Sequence, residues 1–216
     1  MPQKPKVRYE DEILYHAGTE ELTASLQHKF VRHFKGVRGK TLEVGCGKGV
    51  MLSLFKQEGI PAYGIDLSPS SVEYCRSKGL EAHRADLLSH LKKVPSGSLG
   101  GIFCAHVIEH MQPVDAIEFI RESHRTLLPS AKLLLVTPNA KDLRTTERFW
   151  LDVTHVRPYP EKLLRFLLKK EGFSKVSCTT GPEPAGNILI RIAKTLLRAW
   201  FMGFMFTGDL VVLAEK

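Results

Sequence analysis

A buried strand that runs directly into a glycine-rich turn constrains the fold of this chain more than any other feature. Residues 41–45, TLEVG, form a short apolar run, and the next residues, CGKG, lead into an apolar helical pattern near 50–58. Such a turn lets the backbone approach a bound ligand closely, and the helix N-terminus beside it favours anionic groups. Gly45, Gly47 and Gly49 therefore indicate a ligand site at the carboxyl end of a strand.

The residues around this turn narrow the choice of ligand. A dinucleotide-binding fingerprint requires glycine where the chain has Val50, and no GK[ST] sequence follows the turn at the spacing that a P-loop requires. Glu43 precedes the first glycine closely; it would sit poorly beside a pyrophosphate and would suit a ligand that carries positive charge. The alternative, in which the glycines only form a tight turn between strand and helix, stays open at this point.

Apolar strand-like runs alternate with helical patterns along the chain, which predicts an α/β fold with a parallel sheet and helices on both of its faces. An N-terminal helix capped by Thr19 precedes them, with Leu22, Leu26, Phe30 and Phe34 on one face. The predicted strands are 41–45, 62–66, 80–84, 101–105 and 132–137, with helical patterns near 50–58, 69–78, 87–93 and 114–128 between them, then a helix near 160–171 and closing strands at 176–179 and 210–214.

Acidic residues stand at the ends of the second and third predicted strands. Asp66 lies about 20 residues beyond Gly45, where a carboxylate is placed to accept ribose hydroxyl groups. It could instead cap the next helix, although Ser68 can do that. Asp86 could accept the exocyclic amine of an adenine while Leu87 packs on the ring, and it could equally be the N-cap of the helix that follows.

Together these segments resemble the class I S-adenosylmethionine-dependent methyltransferases. The similarity is carried by LEVGCGKG, GIDLS, RADL, IFCAHVIEHM and LLPSAKLLLVTPN, which span residues 40–139, with a weaker tail. The resemblance implies a Rossmann-like, doubly wound fold whose seven-stranded sheet is mostly parallel, with an antiparallel last strand formed by TGDLVVLAEK. One departure is Ser130–Ala131, where this family usually has two glycines before the fifth strand.

The resemblance also implies S-adenosylmethionine as the cofactor, held along the strand ends. The first turn would hold its methionine part, the end of the second strand its ribose, the end of the third its adenine, and the end of the fourth would line the pocket. The cofactor-binding residues implied are Glu43, Gly45, Cys46 and Gly47 for methionine, Asp66 and Leu67 for ribose, Asp86 and Leu87 for adenine, and Ala105 and His106 for the pocket lining.

Methyl transfer from a sulfonium is an in-line displacement with a neutral leaving group, so we expect no metal, and the main task is to position the acceptor. An oxygen acceptor can also need a general base. His106, Glu109 and His110 follow the fourth predicted strand, on the side where such sheets bind ligands. His110 is the first candidate base, although it could instead order the loop, and Glu109 is expected to be structural.

The segment after the fifth strand contains FWLDVTHVRPYPEKL, which resembles a subgroup of bacterial methyltransferases that often act in surface-polysaccharide or lipid-linked glycan pathways. His155 is the second candidate catalytic base. Arg157, whose planar guanidinium can bind a phosphate or carboxylate, and Tyr159 are the candidate substrate-binding residues. Each of the three could instead bond to backbone within the loop.

Composition and charge add weaker constraints. The formal net charge of +8 favours an anionic partner without choosing among nucleic acid, a phosphorylated substrate and a membrane surface. The four cysteines form no CxxC pair, which argues against structural zinc or a disulfide framework and fits a reducing cytoplasm. Residues 187–206 carry Arg191, Lys194 and Arg198 on one helical face. They would pack on the core or a partner, or contact the inner membrane face.

We therefore predict one cytoplasmic methyltransferase domain over residues 1–216, with an N-terminal helical cap (1–38), a cofactor-binding core (40–139) and an acceptor side (140–216). The expected acceptor is a small molecule or a glycan, lipid-linked or free, methylated at oxygen. An RNA or protein methyltransferase is the first alternative, but no RNA-binding module or NPPY-like site supports it, and a nucleic-acid partner is not expected. A non-catalytic cofactor-binding protein of the same fold is the second.

Overall fold

The computed structural model describes residues 19–142, 149–180 and 208–216, which contain a seven-stranded sheet with helices on both faces. In chain order the strands are β1 (Thr41–Val44), β2 (Ala62–Asp66), β3 (Ala82–Arg84), β4 (Leu99–Ala105), β5 (Leu127–Thr137), β6 (Lys175–Thr180) and β7 (Leu210–Glu215). The α-helices that accompany them are α1 (Glu20–Val31), α2 (Val50–Gln57), α3 (Pro69–Ser77), α4 (Leu87–Leu91), α5 (Pro113–Thr126) and α6 (Glu161–Lys170).

The strand order in the sheet is β3-β2-β1-β4-β5-β7-β6. Strands β1 to β5 pair in parallel, and β7 runs antiparallel to both β5 and β6. The predicted doubly wound, mostly parallel sheet with an antiparallel last strand is therefore confirmed. Because the order of strands reverses between β1 and β4, the carboxyl ends of these two strands flank the switch point where such sheets bind ligands.

Apolar side chains bury both faces of the central strands. On the face covered by α1 and α2, Phe34 and Phe55 pack edge to face with ring centroids 5.2 Å apart, in a cluster with Leu134 of β5. On the opposite face, Phe119 of α5 and Leu164 of α6 pack in a cluster with the neighbouring strand residues. Successive residues of a strand point to opposite faces. Because both faces of β5 are covered, the strand is apolar along LLLV and does not alternate between apolar and polar residues.

The start of β3 differs from the prediction. The strand begins at Ala82 rather than at Leu80, because the backbone of Gly79 and Leu80 closes the C-terminal end of α3. Gly79 adopts a left-handed φ of 67°, and the Leu80 N–H donates to the Cys75 carbonyl at 3.1 Å. This helix-closing geometry directs the chain away from the sheet for two further residues.

The end of α1 and the start of β5 also differ from the prediction. α1 stops at Val31 and is followed by a 3₁₀ turn, Arg32–Phe34, which places Phe34 in the core. Leu22, which we predicted on the core face of α1, is 40% exposed. β5 begins at Leu127, earlier than predicted, and pairs there with Leu99 of β4 before an irregularity in the register.

Two predicted helix caps are confirmed: the Thr19 side chain accepts from the Leu22 N–H at 3.2 Å, and Ser68 caps α3 by accepting from the Ser71 N–H at 3.3 Å. Within the described ranges, we find no helix that combines the length and the apolarity needed to cross a bilayer. The predicted amphipathic stretch 187–206 and the first part of the predicted N-terminal cap lie outside the described residues.

Candidate active site

The glycine-rich turn between β1 and α2 has the backbone geometry that its sequence predicts. Gly45, Gly47 and Gly49 have φ values of 65°, 47° and 69°, in the left-handed region that residues with a Cβ rarely adopt. The N–H of Gly45 donates to the Ile65 carbonyl at 2.9 Å, which fixes the turn to the end of β2. Nothing lies within 4 Å of the position that a Cβ on Gly47 would take, so this side of the turn is open to a ligand.

We expect Gly45→Ala to lower the free energy of unfolding by about 3 kcal/mol. The new Cβ would lie 2.5 Å from Val107 Cγ2 and would need a left-handed backbone, so overpacking and backbone strain both contribute. Gly47→Ala is the matched control, because it meets no neighbour and should cost only about 1 kcal/mol of backbone strain. Urea denaturation of both variants measures the difference, and equal losses would show that Val107 does not confine the turn.

Glu43 lies beneath the turn rather than on its open side. Its side chain is buried, and Oε2 accepts from the Leu52 N–H of α2 at 2.9 Å. Because Gly49, the N-cap residue of α2, has no side chain, Glu43 supplies the oxygen that the helix N-terminus needs. Burial raises the pKa of Glu43 well above its usual value. Contact between Glu43 and the methionine part of a cofactor remains a prediction, while its role as a cap is what the structure shows.

Asp66, at the end of β2, is tied to the turn by both carboxylate oxygens. Oδ2 accepts from the Gly47 N–H at 2.8 Å, and Oδ1 accepts from the Ser68 N–H at 2.8 Å. Ser68 provides the cap of α3 with its own side chain, so Asp66 is not needed for that purpose. Asp66 is only partly buried and Leu67 is 52% exposed, and contact of either residue with a ribose remains a prediction.

The end of β3 and the side chain of Cys46 give less direct evidence for cofactor binding. Asp86 is the N-cap of α4 and accepts from the Ser89 N–H at 2.9 Å, which fulfils the capping alternative. An adenine-binding role for Asp86 and Leu87 remains a prediction. The Cys46 thiol points into the core with its Sγ 4.0 Å from that of Cys75, so only its backbone can meet a ligand.

His106 follows Ala105 at the end of β4 and has a left-handed φ of 54°. Its Nδ1 lies 3.3 Å from Oε1 of the buried Glu109, and its Nε2 lies 3.4 Å from Oδ2 of Asp209. Burial lowers the pKa of His106, but the two carboxylates outweigh that effect and raise the pKa to about 10. His106 is therefore an imidazolium near neutral pH, which suits it to charge neutralisation and not to the acceptance of a proton.

His110 lies at the end of a hydrogen-bonded chain that begins at Asp152. The Thr154 hydroxyl donates to Asp152 Oδ1 at 2.6 Å, and the same hydroxyl is 2.8 Å from His110 Nδ1. A hydroxyl has one proton to give, and the Thr154 hydroxyl gives it to Asp152. The hydrogen bond between Thr154 and His110 therefore requires a proton on His110 Nδ1, which leaves Nε2 as the acceptor. Burial lowers the pKa of His110, so its neutral form is favoured.

The structure brings the second candidate base next to the first. The rings of His110 and His155 have centroids 4.5 Å apart, and the His155 ring stacks on Phe149 at 4.4 Å. His155 Nδ1 donates to the Phe149 carbonyl at 2.7 Å, and its Nε2 is 3.8 Å from Asp152 Oδ2. Its side chain is only 4% exposed, so His155 is held within the loop and supports His110 from one side.

Arg157 and Tyr159, the predicted substrate-binding residues, occupy different environments. Arg157 is half-buried, with its guanidinium carbon 5.4 Å from the centroid of the Tyr159 ring. Tyr159 is 1% exposed and packs in the core, where its hydroxyl donates to the Met111 carbonyl at 3.4 Å. Tyr159 therefore packs in the core beside Arg157. Its direct contact with a substrate remains a prediction.

Glu109, which we expected to be structural, joins the parts of the site: its Oε2 accepts from the Thr137 hydroxyl at 3.0 Å, and its carbonyl accepts from the Val156 N–H at 2.9 Å. Asp152 and Thr154 are the partners that we did not predict from sequence, although an Asp-x-Thr sequence beside a candidate base is a signal for such a turn. Glu109, His110 and His155 each offer a ligand atom, all within 4.8 Å of one another, and could hold a metal ion.

Comparison with known proteins identifies the family. A family model described as a methyltransferase domain matches residues 16–178, which is most of the chain. The chain belongs to this methyltransferase family. The predicted membership of the class I S-adenosylmethionine-dependent methyltransferases is confirmed, and with it S-adenosylmethionine as the cofactor of the family. The open side of the glycine turn and the carboxylate of Asp66 fit that group.

Individual relatives and solved structures are similar to different shares of the chain. The ubiquinone biosynthesis O-methyltransferase of Xanthomonas oryzae pv. oryzae (strain PXO99A) is 34% identical over 119 residues, which cover 53% of this chain and 47% of the relative. The chain thus spans about half the length of the curated relatives it matches. A SAM-dependent methyltransferase from Archaeoglobus fulgidus is 24% identical, with a TM-score of 0.82 over 96% of this chain and 99% of its own.

The fold alone does not decide the chemistry. The [4+2]-cyclase SpnF is 19% identical to this methyltransferase, with a TM-score of 0.65 over 94% of this chain and 83% of its own. A protein described as a cyclase therefore shares the architecture, and function has to be argued from the side chains at the site.

Proposed function

We propose that this protein transfers the methyl group of S-adenosylmethionine to a hydroxyl oxygen of a small-molecule acceptor, with His110 as the general base. The observation that carries the proposal is the chain from Asp152 through Thr154 to His110, which leaves the His110 Nε2 unprotonated. An acceptor hydroxyl must lose its proton as its oxygen forms the new bond to carbon, and a neutral imidazole beside the strand ends can take that proton.

Each polar residue of the site has a part in this mechanism. S-adenosylmethionine supplies an activated methyl group whose transfer leaves a neutral thioether. Asp66 and the Gly47 turn would hold this donor. Thr154 and Asp152 fix the orientation of the His110 ring. Because hydrogen bonds from Thr154 outweigh the effect of burial and lower the pKa of Asp152, its carboxylate is ionised and stabilises the imidazolium that forms.

The acceptor that matches this base is a phenol rather than a sugar hydroxyl. Burial lowers the pKa of His110, which makes it a weaker base, and proton transfer is most effective when the donor is comparably acidic. A phenol, with a pKa of about 10, is far more acidic than an alcohol. The similarity to ubiquinone biosynthesis O-methyltransferases supports methylation at oxygen. Arg157, half-buried beside the site, could bind an anionic group on the acceptor.

An assay with defined acceptors tests the proposal. The purified protein is incubated with S-adenosylmethionine and 3,4-dihydroxybenzoate, and the methyl ether is quantified by mass spectrometry. A panel of free and lipid-linked glycans and bulk RNA serves as the set of competing acceptors. We expect methylation of the catechol oxygen. Turnover on a glycan or on RNA alone would refute the phenol assignment, and cofactor binding without turnover on any acceptor would favour the non-catalytic alternative.

We expect kcat/KM for the acceptor to stay constant as the pH falls towards 6.5 and to decline only below it. The base must be unprotonated, and because burial lowers the pKa of His110 from its usual value near 6.5, protonation sets in at a more acidic pH. The pH–rate profile between pH 5 and pH 8 measures this. An acidic limb that begins above pH 6.5 would show that a different group accepts the proton.

A further inference from the structure

A cavity lies on the α1 face of the sheet, and its lining shares no residue with the candidate active site. Its volume is about 210 Å³, and its floor is formed by apolar side chains that include Leu134 of β5 and Leu213 of β7. These two residues are direct cross-strand partners, and Ser177 of β6 is the next partner of Leu213. The cavity therefore crosses three adjacent strands at one level of the sheet.

Basic side chains from the end of α1 and the turn after it form the rim of this cavity: Lys29, Arg32 and His33. Among the described residues, neither Lys29 nor Arg32 has a carboxylate within ion-pair distance, in contrast to Lys35 and Lys40, which pair with glutamates. Arg32 Nε instead donates to His33 Nε2 at 3.4 Å. Within the described part of the chain, the rim thus carries positive charge that Asp209 offsets only in part.

The electrostatic environment agrees with this description. Burial and the neighbouring Arg32 lower the pKa of Lys29, and the more distant Asp209 offsets only part of that effect. Burial, Arg32 and Lys132 lower the pKa of His33. Like charges that converge in a partly buried place destabilise one another unless an anion is bound between them. The apolar floor directly below would accommodate the uncharged part of a ligand.

We propose that this basic cavity binds a soluble phosphate monoester whose other part is a short apolar group. Two permanent cations, Lys29 and Arg32, match a group with up to two negative charges, and a guanidinium binds phosphate oxygens through parallel hydrogen bonds. The volume is below that of pockets for larger ligands, which limits the apolar part to about six carbon atoms. The proposal concerns binding only and does not depend on which acceptor the methyltransferase uses.

Binding of n-hexyl phosphate, measured by calorimetry on the whole chain, tests the proposal. Inorganic phosphate and n-hexanol are the two partial probes, and each should bind at least tenfold more weakly than hexyl phosphate. Arg32→Gln and Lys29→Gln should each weaken binding by about tenfold or more, because each removes a hydrogen bond to a charged group. Lys92→Gln is the charge-matched control, since Lys92 pairs with Glu118 away from the cavity, and it should leave binding unchanged.

A second variant separates the cavity from surface charge. Ser177→Phe retains all the basic side chains but places a ring over the floor beside Leu213, so it should abolish binding of hexyl phosphate. Unchanged melting temperature and cofactor affinity would show that these variants are folded. Equal binding of hexyl phosphate and inorganic phosphate, or full binding by Ser177→Phe, would overturn the proposal, as would the absence of binding to the unmodified protein.

Discussion

Replacement of His110 by alanine should lower kcat for methyl transfer by roughly 10²–10⁴-fold, the usual contribution of a general base. The affinity for S-adenosylmethionine should stay within about twofold, because the hydrogen bonds that fix the glycine turn and Asp66, the proposed donor site, do not involve His110. Single-turnover rates with the catechol acceptor give the first quantity, and calorimetric titration with the donor gives the second.

Variants of the hydrogen-bonded residues that support His110 show whether His110 acts as a base or only as a packing residue. Thr154→Val keeps the shape of the side chain but removes the hydroxyl that links Asp152 to His110 Nδ1. We expect a loss in kcat of about tenfold, because the ring is no longer held in one tautomer and orientation. His155→Ala should have a smaller effect than His110→Ala, since the Nδ1 of His155 is committed to the Phe149 carbonyl.

The outcome of this series can also exclude the proposed role. If His110→Ala retains full activity, or if its loss is matched by an equal loss of donor affinity, His110 is not the proton acceptor. The assay is repeated in EDTA because Glu109, His110 and His155 lie close enough together to share an ion. Activity that is lost on chelation and restored by Mg²⁺ or Zn²⁺ would assign the three residues to a metal ion instead.

The sequence predicts the sheet and its ligand-binding edge well because those features depend on local patterns. The passage from TLEVG through the glycines into a helix requires only short-range geometry, and the caps at Thr19 and Ser68 involve residues three positions apart. Periodicity of apolar residues gives the strands and helices in order, and the connection rules for parallel strands limit the topology.

The parts of the site that the sequence does not reveal are contacts between distant segments. Glu109 binds Thr137, and Asp152 reaches His110 through Thr154, across separations that no local pattern encodes. Glu43 shows a related difficulty: its charge suggested a ligand contact, but the absence of a side chain on the N-cap Gly49 leaves a helix end that a buried glutamate satisfies. Residue type therefore indicated where the chemistry lies, and only tertiary contacts could assign the roles.

Asp66→Ala should weaken binding of S-adenosylmethionine by roughly 100-fold, about 3 kcal/mol. We predict that the carboxylate accepts the ribose hydroxyls, and it accepts from the Gly47 N–H at 2.8 Å, so its removal should delete ligand contacts and loosen the turn together. Asp66→Asn separates the two effects in part, because the amide retains one oxygen acceptor for the turn but carries no charge for the ribose.

Ser68→Ala is the matched control for this prediction. Ser68 caps α3 and bonds to Asp66 only through its backbone N–H, so alanine removes the cap but leaves the carboxylate and its contacts in place. We expect a loss of about 1 kcal/mol in the free energy of unfolding and a change in donor affinity below twofold. Calorimetric titration of the three variants measures these affinities. If Ser68→Ala and Asp66→Ala weaken binding equally, Asp66 acts through the stability of α3, and the ribose contact that the resemblance implies would have to be abandoned.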